Sequence, residues 1–141
     1  MLTRLLFGFS MMAICVMIHA GGLAWALRWL RRHGGLPAGF WPGTRLFVGI
    51  AVWVVSLHLL EISVWAAAFT WNGAMPDMTS ALYFSAVTYT TTGYGDLVLP
   101  QAYRLDGGIE ALTGILMCGW STGFFFAIVN RFYEASVTTR T

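Results

Sequence analysis

The chain has 141 residues, of which 57% are apolar and only 10% are charged. A soluble domain carries roughly a quarter charged residues, so this composition cannot cover a water-facing surface, which excludes a soluble enzyme, a nucleic-acid binder and a disordered chain together. All eight basic residues are Arg and the formal net charge is +2, too small an excess to suggest binding to a nucleic-acid phosphate backbone.

The first apolar run, 5–27, is broken only by Ser10 and His19. It is long enough to cross the roughly 30 Å hydrocarbon core as a helix, which predicts a transmembrane unit over 1–27. A thin basic start, a long apolar run and the poor cleavage site Ile18-His19-Ala20 argue against a cleaved signal peptide. The run holds no regular Arg series, so it is not a voltage sensor. It is expected to pack outside the second span, with His19 packed or hydrogen-bonded. Cys15 and Cys118 lie inside apolar runs, which argues against a disulfide.

Residues 28–45 read as an Arg-rich linker holding Arg28, Arg31, Arg32 and Arg45, beside His33. The positive-inside rule places it in the cytoplasm. Parity then puts the N-terminus and 71–108 outside and the C-terminus inside. Arg4 and, in the outer loop, the single Arg104 are the basic residues left outside. Pro37 and Pro42 suggest that 34–43 is a loop.

The second span, 46–69, carries Glu61, with His58 three residues away on the same helix face. An ionisable group inside a span is costly and points to function. Two readings stand: a proton-sensitive His58–Glu61 pair, or a Glu held by hydrogen bonds to a neighbouring helix.

Pro76, Asp77, Thr79 and Ser80 are helix-starting residues. The apolar stretch 81–87 that follows is too short to span. It runs into Thr88-Tyr89-Thr90-Thr91-Thr92-Gly93-Tyr94-Gly95-Asp96, where two nearby Gly residues break a helix. The pattern predicts a re-entrant helix and an irregular strand, tolerated at membrane depth only when buried in protein or lining water. The third span, 109–132, contains Gly114, Gly119 and Gly123 with Thr113, Ser121 and Thr122, small residues that allow close helix approach. A tail, 134–141, follows. The fold class is therefore an all-α membrane protein with three transmembrane helices.

The segment ALYFSAVTYTTTGYGD, 81–96, closely resembles the pore helix and selectivity filter of tetrameric pore-loop potassium channels, the two-helix ion channel family. The chain resembles a small prokaryotic subunit of that family with one extra N-terminal helix. The resemblance covers 46–133 and implies an outer helix at 46–69, a pore helix at 79–90, a filter at 91–95 and an inner helix at 109–132. It implies a homotetramer, so three identical subunits as partners, in a plasma membrane such as the bacterial inner membrane. It also implies passive potassium conduction with no cofactor beyond the ion.

Carbonyl oxygens can replace a potassium ion's water if they all face one axis. That requires alternating backbone angles, some left-handed, which Gly93 and Gly95 adopt without a Cβ penalty. The resemblance implies potassium at the carbonyls of Thr91, Thr92, Gly93 and Tyr94, with Gly95 completing the filter and Tyr94 turned outward as a brace. It makes Gly119 a hinge in the inner helix. Ser121 or Thr122 would line the cavity, which Phe124, Phe125 and Phe126 could constrict. His58 and Glu61 would bias gating if they titrate; otherwise Glu61 would bond a pore-helix Thr or the first span.

Two positions depart from the family pattern. Thr92 stands where Val, Ile or Leu is usual, which leaves a non-selective cation channel as an alternative. Val87 stands where some relatives carry a Glu that pairs with the Asp after the filter, so Tyr83 is the proposed hydrogen-bond donor to Asp96. A non-conducting subunit of another channel, or regulation through a separate chain, is the remaining alternative. No catalytic constellation is apparent.

Overall fold

The structure, a computed structural model, describes residues 1–32 and 39–138, with side chains to 134. Four α-helices carry the fold: α1 (Leu2–Arg32), α2 (Phe40–Trp71), α3 (Met78–Tyr89) and α4 (Arg104–Thr138), with a 3₁₀ turn at Gln101–Tyr103 leading into α4. No β-strand occurs among the described residues. Three helices are long and apolar enough to cross a membrane, α1, α2 and the segment Gln101–Glu134. The 12-residue α3 is about 18 Å long at 1.5 Å per residue, too short to span.

The helices overrun the apolar stretches that announce them. α2 starts at Phe40, with Pro42 in its first turn, where a missing N–H costs nothing. The loop expected over 34–43 is thus already helical from Phe40, while 33–38 lie outside the described residues. Arg28, Arg31 and Arg32 end α1, and Arg45 lies on α2. α4 starts five residues before its apolar run, and Asp106 in its first turn is buried 3.6 Å from Arg4 of α1. The Arg4 guanidinium also lies 4.0 Å from the centre of the Tyr103 ring. This pairing gives Arg4, on the side that the charge pattern reads as outer, an acidic partner.

α1 packs against both α2 and α4, which corrects the expectation that it lies only outside the second span. Its glycines make this possible. A Cβ on Gly8 would run into Ile109 of α4, and one on Gly22 into Leu57 of α2. Trp53 Nε1 donates to the Gly22 carbonyl at 3.1 Å. Two apolar clusters fill the interior. The larger joins all four helices around Cys15, Trp65, Phe69, Phe84, Tyr89, and Met117. The smaller, around Leu23, Val54, Leu57, Phe124 and Ile128, joins α1, α2 and α4 at the Arg-rich end.

Candidate functional site

α3 is capped as its sequence requires. The Asp77 carboxylate accepts from Ser80 N at 2.9 Å and Ser80 Oγ at 2.8 Å, and these bonds hold its pKa below the usual value. The other end of α3 organises the segment 90–95. Backbone amides turn back onto the last helical turn: Thr91 N donates to Thr88 O at 2.9 Å, Thr92 N to Val87 O at 2.9 Å and Gly93 N to Val87 O at 3.2 Å. Among the described residues, the carbonyls of Thr91, Thr92, Gly93 and Tyr94 receive no hydrogen bond.

Three residues in this segment have positive φ, in strict alternation: Thr91 at 59°, Gly93 at 56° and Gly95 at 78°. The glycines are free to do this, and a Cβ on either would meet nothing within 4 Å. Thr91 is the unexpected member. A β-branched residue in the left-handed region costs about 1–2 kcal/mol and persists only where its surroundings dictate it. The amide bond to Thr88 and the turn at the end of α3 supply that constraint.

Thr92 points its hydroxyl at Thr90, Oγ1 to Oγ1 at 2.9 Å, and Thr90 Oγ1 bonds the Ala86 carbonyl at 2.7 Å. The polar side chain at this position is therefore satisfied through α3. Tyr83 Oη donates to Asp96 Oδ2 at 2.7 Å. The bond lowers the Asp96 pKa and raises that of Tyr83. The Val87 side chain has no polar atom and lines a cleft of about 190 Å³ between α3 and Gly93–Asp96. Tyr94 is 72% exposed on this chain.

On α4 the small residues separate into different roles. A Cβ on Gly114 would collide with the Tyr89 carbonyl at the foot of α3, whereas Gly119 and Gly123 have nothing within 4 Å. Gly114, not Gly119, therefore permits the close approach. Thr122 is exposed with its hydroxyl on the Cys118 carbonyl at 2.9 Å. Ser121 is buried and turned the other way, since one residue on a helix is about 100° of rotation. Phe124 lies in the smaller core cluster with Phe125 packed against it, leaving only Phe126 exposed.

Ser121 instead joins a buried polar cluster with His19, His58, Glu61 and Tyr89. His19 Nδ1 lies 2.9 Å from Glu61 Oε1, and His19 Nε2 lies 2.9 Å from Ser121 Oγ. His58 Nδ1 lies 3.2 Å from Tyr89 Oη and 3.8 Å from Glu61 Oε2, and His58 Nε2 lies 3.1 Å from Ser121 Oγ. Tyr89 Oη donates to Glu61 Oε2. Glu61 thus bonds α1, the first span, and Tyr89 of α3, and no Thr among the described residues. His19 is a member of the cluster, and Tyr89 is a member that the sequence did not single out. Glu110 was also passed over. It is fully buried beside Ser85 of α3, and neither side chain completes a hydrogen bond.

A family model described as Ion channel matches residues 57–131, more than half the chain. The human protein "Potassium channel subfamily K member 12" is 37% identical over 93 aligned residues, 57% of this chain and 22% of the relative. Its rat counterpart is 36% identical over the same shares. The chain spans about a fifth of the length of these curated relatives. No solved structure gives a significant match.

Proposed function

The chain belongs to the ion channel family, and from that premise we propose that it conducts potassium passively through a pore shared by four copies, the ion held by the carbonyls of Thr91, Thr92, Gly93 and Tyr94. The observation that carries this reading is the alternation of left-handed residues at 91, 93 and 95, with the amides of 91–93 anchored to α3. Tied amides leave the carbonyls unsatisfied, and unsatisfied carbonyls in an apolar protein need a partner. A dehydrated cation is such a partner, provided the carbonyls converge. One strand covers one side of an ion, so closure requires further copies around an axis. The potassium channel relatives favour potassium as that ion.

In this reading Tyr83 and Asp96 hold the outer end of the filter and Tyr94 braces it against a neighbouring copy. Thr122 and Phe126 face the inner cavity, and Gly119 lets α4 bend. The Arg-rich end of α1 and α2 faces the cytoplasm, which places the N-terminus and the filter mouth outside and the C-terminus inside the plasma membrane.

The test is flux from proteoliposomes containing the purified chain. Potassium efflux that exceeds sodium efflux at least tenfold is expected. Equal fluxes would instead indicate a non-selective cation pore, and no flux from folded protein would indicate a subunit that needs another chain.

A further inference from the structure

The His19–His58–Glu61 cluster is larger than filter support requires, and its proton count does not close. Five hydrogen-bonding contacts join the five side chains. Two neutral imidazoles and two hydroxyls supply four protons, and an ionised carboxylate supplies none. With the carboxylate ionised the network is one proton short, a positive charge that a bound cation can supply instead.

We propose that His19, His58 and Glu61 bind a divalent transition-metal ion of the zinc type, through Nδ1 of each imidazole and the carboxylate. One ligand atom from each residue lies within 4.8 Å of the others. Both Nδ1 atoms already face the carboxylate, at 2.9 Å and 3.8 Å. Tetrahedral zinc with bonds near 2.1 Å spaces its ligand atoms about 3.4 Å apart, between the 2.9 Å from His19 Nδ1 to Oε1 and the 3.8 Å from His58 Nδ1 to Oε2. His58 and Glu61 sit one turn apart on α2, and His19 arrives from α1.

The groups behind the ligands are the stronger argument. Metal on Nδ1 leaves the ring proton on Nε2, and a ligating His donates that proton to an orienting acceptor. Both Nε2 atoms face the same acceptor, Ser121 Oγ, at 2.9 Å and 3.1 Å, and a hydroxyl oxygen has two lone pairs for two donors. Tyr89 Oη bonds the carboxylate from a third side. With the ion in place the four protons suffice. The ion would join α1 to α2 and, through Tyr89, reach the turn that holds the filter. Binding is read independently of conduction, so the two readings can fail separately.

The experiment uses tag-free full chain in detergent, stripped with chelator. Cobalt(II) is titrated in while its visible d–d absorption is followed, and zinc per chain is counted after dialysis. One ion per chain is expected. Ser121→Ala, which removes only the shared acceptor, should weaken affinity about 10- to 100-fold, and His58→Asn or His19→Gln should weaken it further. Circular dichroism checks each fold. If His19→Gln fails to fold, the other two variants decide. A folded wild type that binds no stoichiometric metal, or folded His58→Asn and Ser121→Ala that bind as the wild type does, would overturn the site and leave a proton as the cluster's cation.

Discussion

His19 Nε2 and Ser121 Oγ lie 2.9 Å apart although 102 positions separate them in the chain. Their contact fixes α1 against α4, and Glu61 extends the connection to α2 and α3 through His19 and Tyr89. Few polar groups in so apolar a chain have this many partners, and removing one leaves others buried and unpaired. Glu61→Ala should therefore destabilise the folded chain by about 3–5 kcal/mol. Thermal unfolding in detergent checks this. A variant as stable as the wild type would show that the cluster does not hold the helices together.

The glycines of α4 should part company under substitution. Gly114→Ala drives a methyl group into the Tyr89 backbone carbonyl, and overpacking of this kind costs about 1–3 kcal/mol. Gly119→Ala meets nothing within 4 Å and should gain up to about 1 kcal/mol in helix propensity. Unfolding midpoints should fall for the first and hold or rise for the second. If Gly119 is the hinge, its Ala variant keeps its fold but opens less often in single-channel recordings; an unchanged open probability removes the hinge.

Gly93→Ala tests the filter backbone. With φ at 56° and nothing within 4 Å of a new Cβ, the strain is conformational, about 1–2 kcal/mol per chain, and it recurs in every copy around the axis. Potassium flux should fall by tenfold or more while circular dichroism stays unchanged. Flux at the wild-type level would mean that the left-handed turn there is dispensable.

The Tyr83–Asp96 bond carries a pH expectation. Its hydrogen bond lowers the Asp96 pKa, so the bond persists above the ordinary carboxylate value of about 3.9 and is lost only as pH falls through the lowered one. Acidifying the outer solution from about pH 7 to 5 should leave the decay of current during sustained opening unchanged. Tyr83→Phe removes the donor and should speed that decay at every pH in this range. Equal decay in wild type and variant would separate the bond from filter stability.

The sequence was most informative where structure follows from neighbours along the chain. Asp77 and Ser80 announced the cap of α3, and Gly93 and Gly95 announced left-handed backbone. Thr91 gave no such sign, because a β-branched residue normally avoids positive φ and the turn that imposes it lies in the chain geometry behind it. The buried cluster was half visible. Glu61 and His58 stood out as costly residues on one helix face, but one sequence does not say which faces of different helices meet. Ser121 therefore stood beside Thr122 as a cavity candidate, and the hydrogen bond expected of His19 had no named partner. The meeting of Arg4 with Asp106, in the part of α4 that precedes its apolar run, went unread for the same reason.

Cryo-electron microscopy of the assembled protein in potassium tests the central claim most directly. The account predicts four copies around one axis, the carbonyls of Thr91, Thr92, Gly93 and Tyr94 turned inward, and a column of ion density between them that weakens when potassium is replaced by sodium. Carbonyls turned away from the axis, or an assembly with no axial density in potassium, would contradict it.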